Sequence, residues 1–243
     1  MSAGSSLDEQ ERQRYQAQYA EIASLAGGLA HEIKNPLSTI GMNLELLVED
    51  LAEGESPRDR RMLGKIQSIQ KECLHLEDIL NAFLQFARVG ELDLVEADLN
   101  AIVREFIEFY QPQAADQRIE ISPHLASDLP PVPLDRSLIR QVLMNLTLNA
   151  QQAMPDGGVL EIQTYLRDDR VHLDLIDSGI GMDDRTRSKM FQTFFSSRPG
   201  GSGLGLPTVQ KIVEAHAATI DCESEPGRGT QFSISFPTSK MGS

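Results

Sequence analysis

The run His31-Glu32-Ile33-Lys34-Asn35-Pro36 puts an imidazole, a carboxylate and an amide within little more than one helical turn. Apolar residues around it recur at Ile22, Leu25, Leu29, Ile33, Ile40, Leu44, Leu47 and Leu51, mostly three or four apart, as on a core-facing helix. His31 stands two positions after Leu29, roughly 200° around such a helix, so its ring points to solvent. Asn35 follows one turn later on the same face, with Glu32 at its flank. An exposed imidazole of this kind is either an ordinary surface histidine or a reactive group, and the motif alone does not choose. Zinc hydrolysis is disfavoured, because H-E-x-x-H would need a histidine where Asn35 stands, and no third ligand cluster exists.

Four later pieces have the chemistry of a nucleotide site. Asn145 and Asn149 are four apart on one helix face, at the border of an apolar stripe, where an amide must find a partner or sit on the surface. Asp177-Ser178-Gly179-Ile180-Gly181-Met182 follows an alternating strand. A carboxylate there can accept a hydrogen bond from an exocyclic amine while the two glycines let backbone approach a flat ring; the alternative is a plain turn. Gly200-Gly201-Ser202-Gly203-Leu204-Gly205-Leu206-Pro207 runs into a helix, whose first N–H groups and dipole suit a phosphate. It is neither a Rossmann fingerprint nor a P-loop. Between the last two pieces lie Phe191, Phe194, Phe195 and Ser196-Ser197-Arg198, with the length and flanking glycines of a lid. Gly227-Arg228-Gly229-Thr230 reads as a turn between strands.

Two kinds of element must position these groups. From about Tyr19 to Arg88 the pattern is two long helices separated at Glu53-Gly54-Glu55-Ser56-Pro57. The second carries Met62, Ile66, Ile69, Cys73, Leu76, Leu80, Phe83 and Ala87, a heptad spacing that predicts coiled packing. Two helices bury such stripes poorly, whereas a dimer making a four-helix bundle buries them well. Pro36 predicts a kink just below His31, either a hinge or a packing irregularity.

From about Glu91 helices and strands mix. The reading is a helix at Ala101–Gln113, a strand at Arg118–Ser122, a loop at Pro130–Pro133, and a helix capped by Asp135 and running through Met154. Strands follow at Val159–Leu166 and Val171–Ile176, a helix at Pro207–His216, and strands at Thr219–Ser224 and Gln231–Phe236. Helices covering one face of a mostly antiparallel or mixed sheet is the α+β solution. The fold class is therefore α then α+β. The expected domains are 1–18 linker, 19–90 helical, 91–237 mixed and 238–243 tail.

Composition excludes some classes. The 243 residues are 40% hydrophobic and 24% charged, ordinary for a globular chain with real cores. A net charge of −14 argues against general binding to nucleic acid or anionic membranes. Cys73 and Cys222 are too few and too distant for a disulfide framework, so a reducing, cytoplasmic setting is expected. No apolar run reaches the ~18 residues of a membrane span and no secretory signal precedes the first helix. Any sensing part is expected outside this stretch.

Together the motifs resemble the transmitter core of a bacterial sensor histidine kinase. His31–Pro36 is similar to the phosphoacceptor motif of the dimerisation and histidine-phosphotransfer domain. Asn145–Asn149 resembles the N box, Asp177–Gly181 the first glycine box, Phe191–Phe195 the F box and Gly201–Gly205 the second glycine box. The resemblance spans roughly residues 19 to 237, and five motifs in this order are highly specific. Ser196-Ser197-Arg198 after the phenylalanines is similar to the nitrogen-regulation-like branch. Ala217-Ala218 replaces the usual paired glycines, which bears on one turn.

The resemblance implies a helical hairpin dimerising into a four-helix bundle, then an α/β sandwich that binds ATP with Mg²⁺. It implies His31 as nucleophile toward the γ-phosphate, Glu32 as general base and Asn35 as the residue orienting water for dephosphorylation of a partner. Asn149 would ligate Mg²⁺ with Asn145 assisting. Asp177 would read the adenine amine, with Gly179 and Gly181 beside the base. Gly201, Gly203, Leu204 and Gly205 would hold the phosphates, and Lys189 and Arg198 are candidate lid cations, with surface charge as the alternative for each. The implied partners are a second copy of the chain and a response-regulator receiver domain. An ATP-driven clamp of the same superfamily would need a carboxylate where Asn145 stands. A binding-only pseudokinase would be expected to lack some of the matched residues.

Overall fold

The computed structural model of the protein describes residues 33–51, 56–89, 92–198 and 201–238. These residues divide into two compact units, those up to 89 with 198 and 201–204, and those at 92–197 with 205–238. His31 and Glu32 lie outside the described residues, as do Gly200, the linker expected at 1–18 and residues 239–243 of the expected tail.

In the first unit, α1 is helical over 33–51 and includes Pro36. The Thr39 hydroxyl donates to the Asn35 carbonyl oxygen at 3.0 Å. Helix α2 (Pro57–Arg88) starts on a capping box, the Asp59 N–H donating to Ser56 Oγ at 3.1 Å and the Ser56 N–H to Asp59 Oδ2 at 3.3 Å. The heptad of α2 splits into two lines. Ile66 and Ala87 are buried and Cys73 and Leu80 half-buried, while Met62, Ile69 and Leu76 are 42%, 49% and 51% exposed. Helix α1 divides likewise, with Leu37 and Leu44 buried and Ile33, Ile40 and Leu47 exposed. This corrects the stripe read from sequence, which joined Leu44 with Ile33, Ile40 and Leu47 and left out Leu37. At heptad spacing two apolar lines run side by side, and one chain covers only one of them.

The second unit is a five-stranded sheet in the order β2-β4-β5-β7-β6 with helices packed on it. Its strands are β2 (Ile119–Leu125), β4 (Gly158–Arg167), β5 (Arg170–Asp177), β6 (Thr219–Glu225) and β7 (Gly229–Pro237). Only the β2–β4 pairing is parallel. A small antiparallel ribbon pairs β1 (Val95–Ala97) with β3 (Val132–Leu134). The sequence had suggested a plain loop at Pro130–Pro133; Pro133 is tolerated in a strand because an edge ribbon does not need its missing N–H.

Alternation buries Leu160 and Ile162 of β4 and Phe232, Ile234 and Phe236 of β7. Helix α3 (Leu99–Asp116) contributes Ile102, Val103 and Phe106 to the core. Helix α4 (Arg136–Ala153) contributes Ile139, Val142, Leu143 and Leu146, and α6 (Gly205–Ala215) Val209, Ile212 and Val213. The remaining helix, α5 (Asp184–Arg187), is one turn long and was not foreseen. Asp135 caps α4 as expected, Oδ1 accepting from the N–H groups of Ser137 at 3.0 Å and Leu138 at 3.1 Å. Burial alone would raise the Asp135 pKa, but these bonds, that of the Ser137 hydroxyl and that of the Asp93 N–H hold it below the usual carboxylate value. No helix among the described residues is long and apolar enough to cross a membrane.

Candidate functional site

Asp177 closes β5, opposite Leu160 of β4 and Thr230 of β7, and is buried. Its Oδ1 accepts the Gly179 N–H at 2.9 Å, which bends the chain out of the sheet. The following loop is pinned on three sides. Ser178 Oγ accepts the Val159 N–H at 2.9 Å, the Ile180 N–H donates to the Ala153 carbonyl at 3.0 Å, and the Gly227 N–H donates to the Ile180 carbonyl at 2.7 Å. A Cβ on Gly179 would lie 2.7 Å from Ala153 Cβ and 2.8 Å from Asp177 Oδ1. On Gly181, where φ is +65°, it would lie 2.0 Å from the Glu225 carbonyl oxygen. These glycines were expected to admit a flat ring. The close approaches observed are to the chain's own α4 and its β6–β7 turn, so the glycines are needed to seat Asp177 before any ligand arrives.

That turn adds residues that sequence reading named but gave no role. Thr230, buried beside Asp177, shares a 3.0 Å hydrogen bond with Ser224 Oγ, and Ser224 Oγ also accepts the Met182 N–H at 2.8 Å. The available signal was the alternation of β7, which puts Thr230 on the same face as Phe232.

Asn145 and Asn149 stand one turn apart on α4, both half-buried. Asn145 Nδ2 is buried and has no hydrogen-bond partner, a cost the fold retains. Its Oδ1 would lie 3.6 Å from a Cβ placed on Gly205, the first residue of α6. The amide box and the start of the glycine-led helix therefore face each other, separated by 60 residues of sequence. An orphan donor beside a helix N-terminus is a place where an anionic oxygen would be satisfied twice over.

Of the intervening stretch, Lys189 is half-buried, Met190 buried, and Phe194 is 64% exposed with a left-handed backbone, φ +63°. Arg198, Gly201, Gly203 and Leu204 fall in the 198–204 segment that groups with the helical unit. Within it the Gly201 N–H donates to the Arg198 carbonyl at 3.3 Å, Gly203 has φ +65° and Leu204 is buried. Asn35 is exposed on α1. In the sheet unit the structure thus brings together Asn145 with Gly205, and Asp177 with Gly179.

No group of three His, Cys, Asp or Glu that could hold a metal ion occurs among the described residues. A side-chain oxygen at Asn149 fits a Mg²⁺ ion that keeps waters and phosphate oxygens as its other ligands, and the orphaned Asn145 N–H donor beside it suits one of those phosphate oxygens rather than the ion.

Comparison with known proteins agrees with both halves. Residues 21–92 match the family model of the His Kinase A (phospho-acceptor) domain, and residues 134–240 that of the histidine kinase-, DNA gyrase B- and HSP90-like ATPase. The chain is 31% identical over 236 residues to the signal transduction histidine-protein kinase AtoS of Escherichia coli, covering 96% of itself and 38% of that protein. It is 32% identical over 217 residues to sporulation kinase E of Bacillus subtilis, covering 89% of itself and 28% of the relative. Among solved structures, full-length ShkA in complex with AMPPNP superposes with a TM-score of 0.69 at 27% identity, over 90% of this chain and 47% of that one. Histidine kinase ThkA in complex with the response regulator TrrA gives 0.66 at 25% identity, over 95% and 66%. The chain spans half or less of the length of the curated relatives it matches.

Proposed function

This chain belongs to the sensor histidine kinases, and we propose that it phosphorylates its own His31 from ATP and passes the phosphoryl group to an aspartate of a response-regulator receiver domain. The observation that carries the reading is the juxtaposition in the sheet unit of an orphaned Asn145 amide with the glycine-led start of α6. Charged phosphates need such donors held in place beforehand. At the other end of the nucleotide, Asp177 would accept a hydrogen bond from the adenine amine, which guanine lacks at that position.

In the transfer, a ring nitrogen of His31 forms the new bond to the γ-phosphorus while the bond to the β-γ bridging oxygen breaks and ADP leaves. Glu32 takes the proton from the other ring nitrogen. Gly201, Gly203, Leu204 and Gly205 would cradle the phosphates, and Lys189 and Arg198 would face the γ-phosphate with the lid closed. The Asn149 side-chain oxygen, with Asn145 assisting, would hold Mg²⁺, which when bound neutralises phosphate charge. Asn35, one turn from His31, would orient a water for dephosphorylating the regulator.

Homodimerisation follows from the apolar lines left open on α1 and α2: Ile33, Ile40 and Leu47, and Met62, Ile69 and Leu76. A second copy would cover both lines in a four-helix bundle. We assign the activity to the cytoplasm. The deciding experiment is incubation with γ-labelled ATP. Label that is acid-labile and base-stable supports phosphohistidine; base-labile label, or none, rejects the reading.

A further inference from the structure

Outside the nucleotide site the sheet unit buries the imidazole of His216, immediately after α6, and its two nitrogens are both used. The Asp135 N–H donates to Nε2 at 3.0 Å. Nδ1 lies 2.7 Å from the Ile212 carbonyl oxygen, so the ring proton sits on Nδ1 and donates there. The ring meets Phe236 edge-on with centroids 6.5 Å apart and is 4% exposed. Asp135 is the N-cap of α4, so His216 ties the end of α6 to the beginning of α4.

The opposite ends of the same helix pair carry the site. Ten residues along α4 from Asp135 is Asn145, about 15 Å away, and eleven residues back along α6 from His216 is Gly205, about 16 Å away. The two helices form the long sides of a frame, with His216–Asp135 closing one end and Gly205–Asn145 the other. The turn beyond His216 is retained under strain. Ala217 takes φ +53°, with its N–H donating to the Glu214 carbonyl at 3.0 Å and the Ala218 N–H to Val213 at 3.1 Å. An alanine in that conformation is held by surrounding structure.

We propose that His216 is a positioning residue for the nucleotide: by fastening the end of α6 to the cap of α4 it sets where the first turn of α6 stands along α4, and so where its N–H groups meet the phosphates. The proposal rests on the reading of that turn as the phosphate site. It predicts that loss of the fastening harms phosphate binding selectively, because the adenine end rests on Asp177 and the loop pinned to Ala153 and Gly227. Burial opposes protonation of the ring and lowers the His216 pKa, outweighing the Ile212 carbonyl and Asp135, the charged group among the described residues that favours the cation. A doubly protonated ring would present a donor to the Asp135 N–H and break the bond.

The test is calorimetric and NMR titration of the full chain with AMP and with a non-hydrolysable ATP analogue. His216→Leu should weaken the triphosphate about tenfold and AMP by less than about twofold. His216→Gln, whose amide oxygen can still accept from Asp135, should recover most of that loss. His216→Ala, which removes the same acceptor without adding bulk, should repeat the selective loss and decides the matter if the leucine variant fails to fold. Equal losses for both ligands, an undiminished triphosphate affinity, or a glutamine variant no better than the leucine one would overturn the proposal. Failure of the original protein to bind either nucleotide would instead reject the site itself, and the proposal with it.

Discussion

Asn145 Oδ1 stands 3.6 Å from the point where a methyl group on Gly205 would be, ordinary van der Waals contact with no collision. The backbone of Gly205 is also free of the left-handed strain that only glycine tolerates. Nothing in the fold itself requires glycine here; a phosphate seated between the α6 N-terminus and Asn145 would.

Gly205→Ala should therefore leave the thermal stability of the sheet unit unchanged or slightly raised, since alanine is the better helix former by roughly 0.5–1 kcal/mol. ATP-analogue affinity should fall about tenfold or more, because the methyl would occupy space between the α6 N-terminus and Asn145. Parallel melting and binding curves check this. Unchanged affinity would remove α6 from the phosphate site.

Asp177→Asn keeps an oxygen that can accept the Gly179 N–H, now bonded at 2.9 Å, so the loop should survive. What changes is the second oxygen, which becomes a donor opposed to the adenine amine. The lost charged bond and the clash should cost on the order of 2–3 kcal/mol, roughly 30- to 150-fold in affinity. GTP should bind the original protein poorly for the same reason. Unaltered ATP affinity by calorimetry would reduce Asp177 to a turn residue.

His31→Gln should abolish acid-labile labelling while ATP binding and dimerisation persist. Asn35→Ala should spare labelling and transfer yet slow dephosphorylation of the phospho-regulator by about tenfold, if the positioned water contributes about 1.4 kcal/mol. The comparison is regulator-phosphate decay against the initial labelling rate in one preparation. Loss of both activities together, or of neither, rejects the water-orienting role and leaves Asn35 as the residue that tolerates Pro36.

Ala217→Gly relieves an alanine held at φ +53°. The left-handed penalty is roughly 1–2 kcal/mol and the added freedom of glycine in the unfolded chain offsets about 0.5–1 kcal/mol. The net gain is up to about 1.5 kcal/mol, or roughly 3–6 °C in melting temperature. A lowered melting temperature would contradict the strain.

His216 also carries a pH signature in stability. Its folded pKa lies below the ordinary 6.5 because burial outweighs the Ile212 carbonyl and Asp135. The neutral ring is favoured in the fold, so its contribution is complete above about pH 6.5 and is lost as pH falls through the folded value. Carboxylates held low, such as Asp135, lose theirs further down. Melting between pH 7.5 and 5.5, ordinary assay conditions around the histidine range, should decline less in His216→Gln than in the original protein. Coincident profiles would show that His216 does not titrate on unfolding.

The local signals were strong where physics is local. Heptad spacing on α2, the Asp135 cap of α4 and the strand alternation through Ile176 and Phe232 are read within a few residues, because period and capping depend on near neighbours. The motifs His31–Pro36, Asn145–Asn149, Asp177–Gly181 and Gly201–Gly205 were legible for the same reason. The reading failed where a partner distant in sequence decides. β3 at Val132–Leu134 exists because β1 lies beside it, and Pro133 hides that from any local rule. Which apolar line of α1 is covered, Leu37 and Leu44 or Ile33 and Ile40, depends on a neighbouring helix, since heptad spacing marks both. The glycines at 179 and 181 looked made for a ligand, and only the approach of Ala153 and Glu225 shows that the chain itself needs them. Asn145 meeting Gly205, and His216 meeting Asp135, join residues 60 and 81 positions apart. Sequence supplied the chemical groups and the helices and strands that carry them; long-range packing alone decided which groups face one another, because such contacts form only when the whole sheet unit closes.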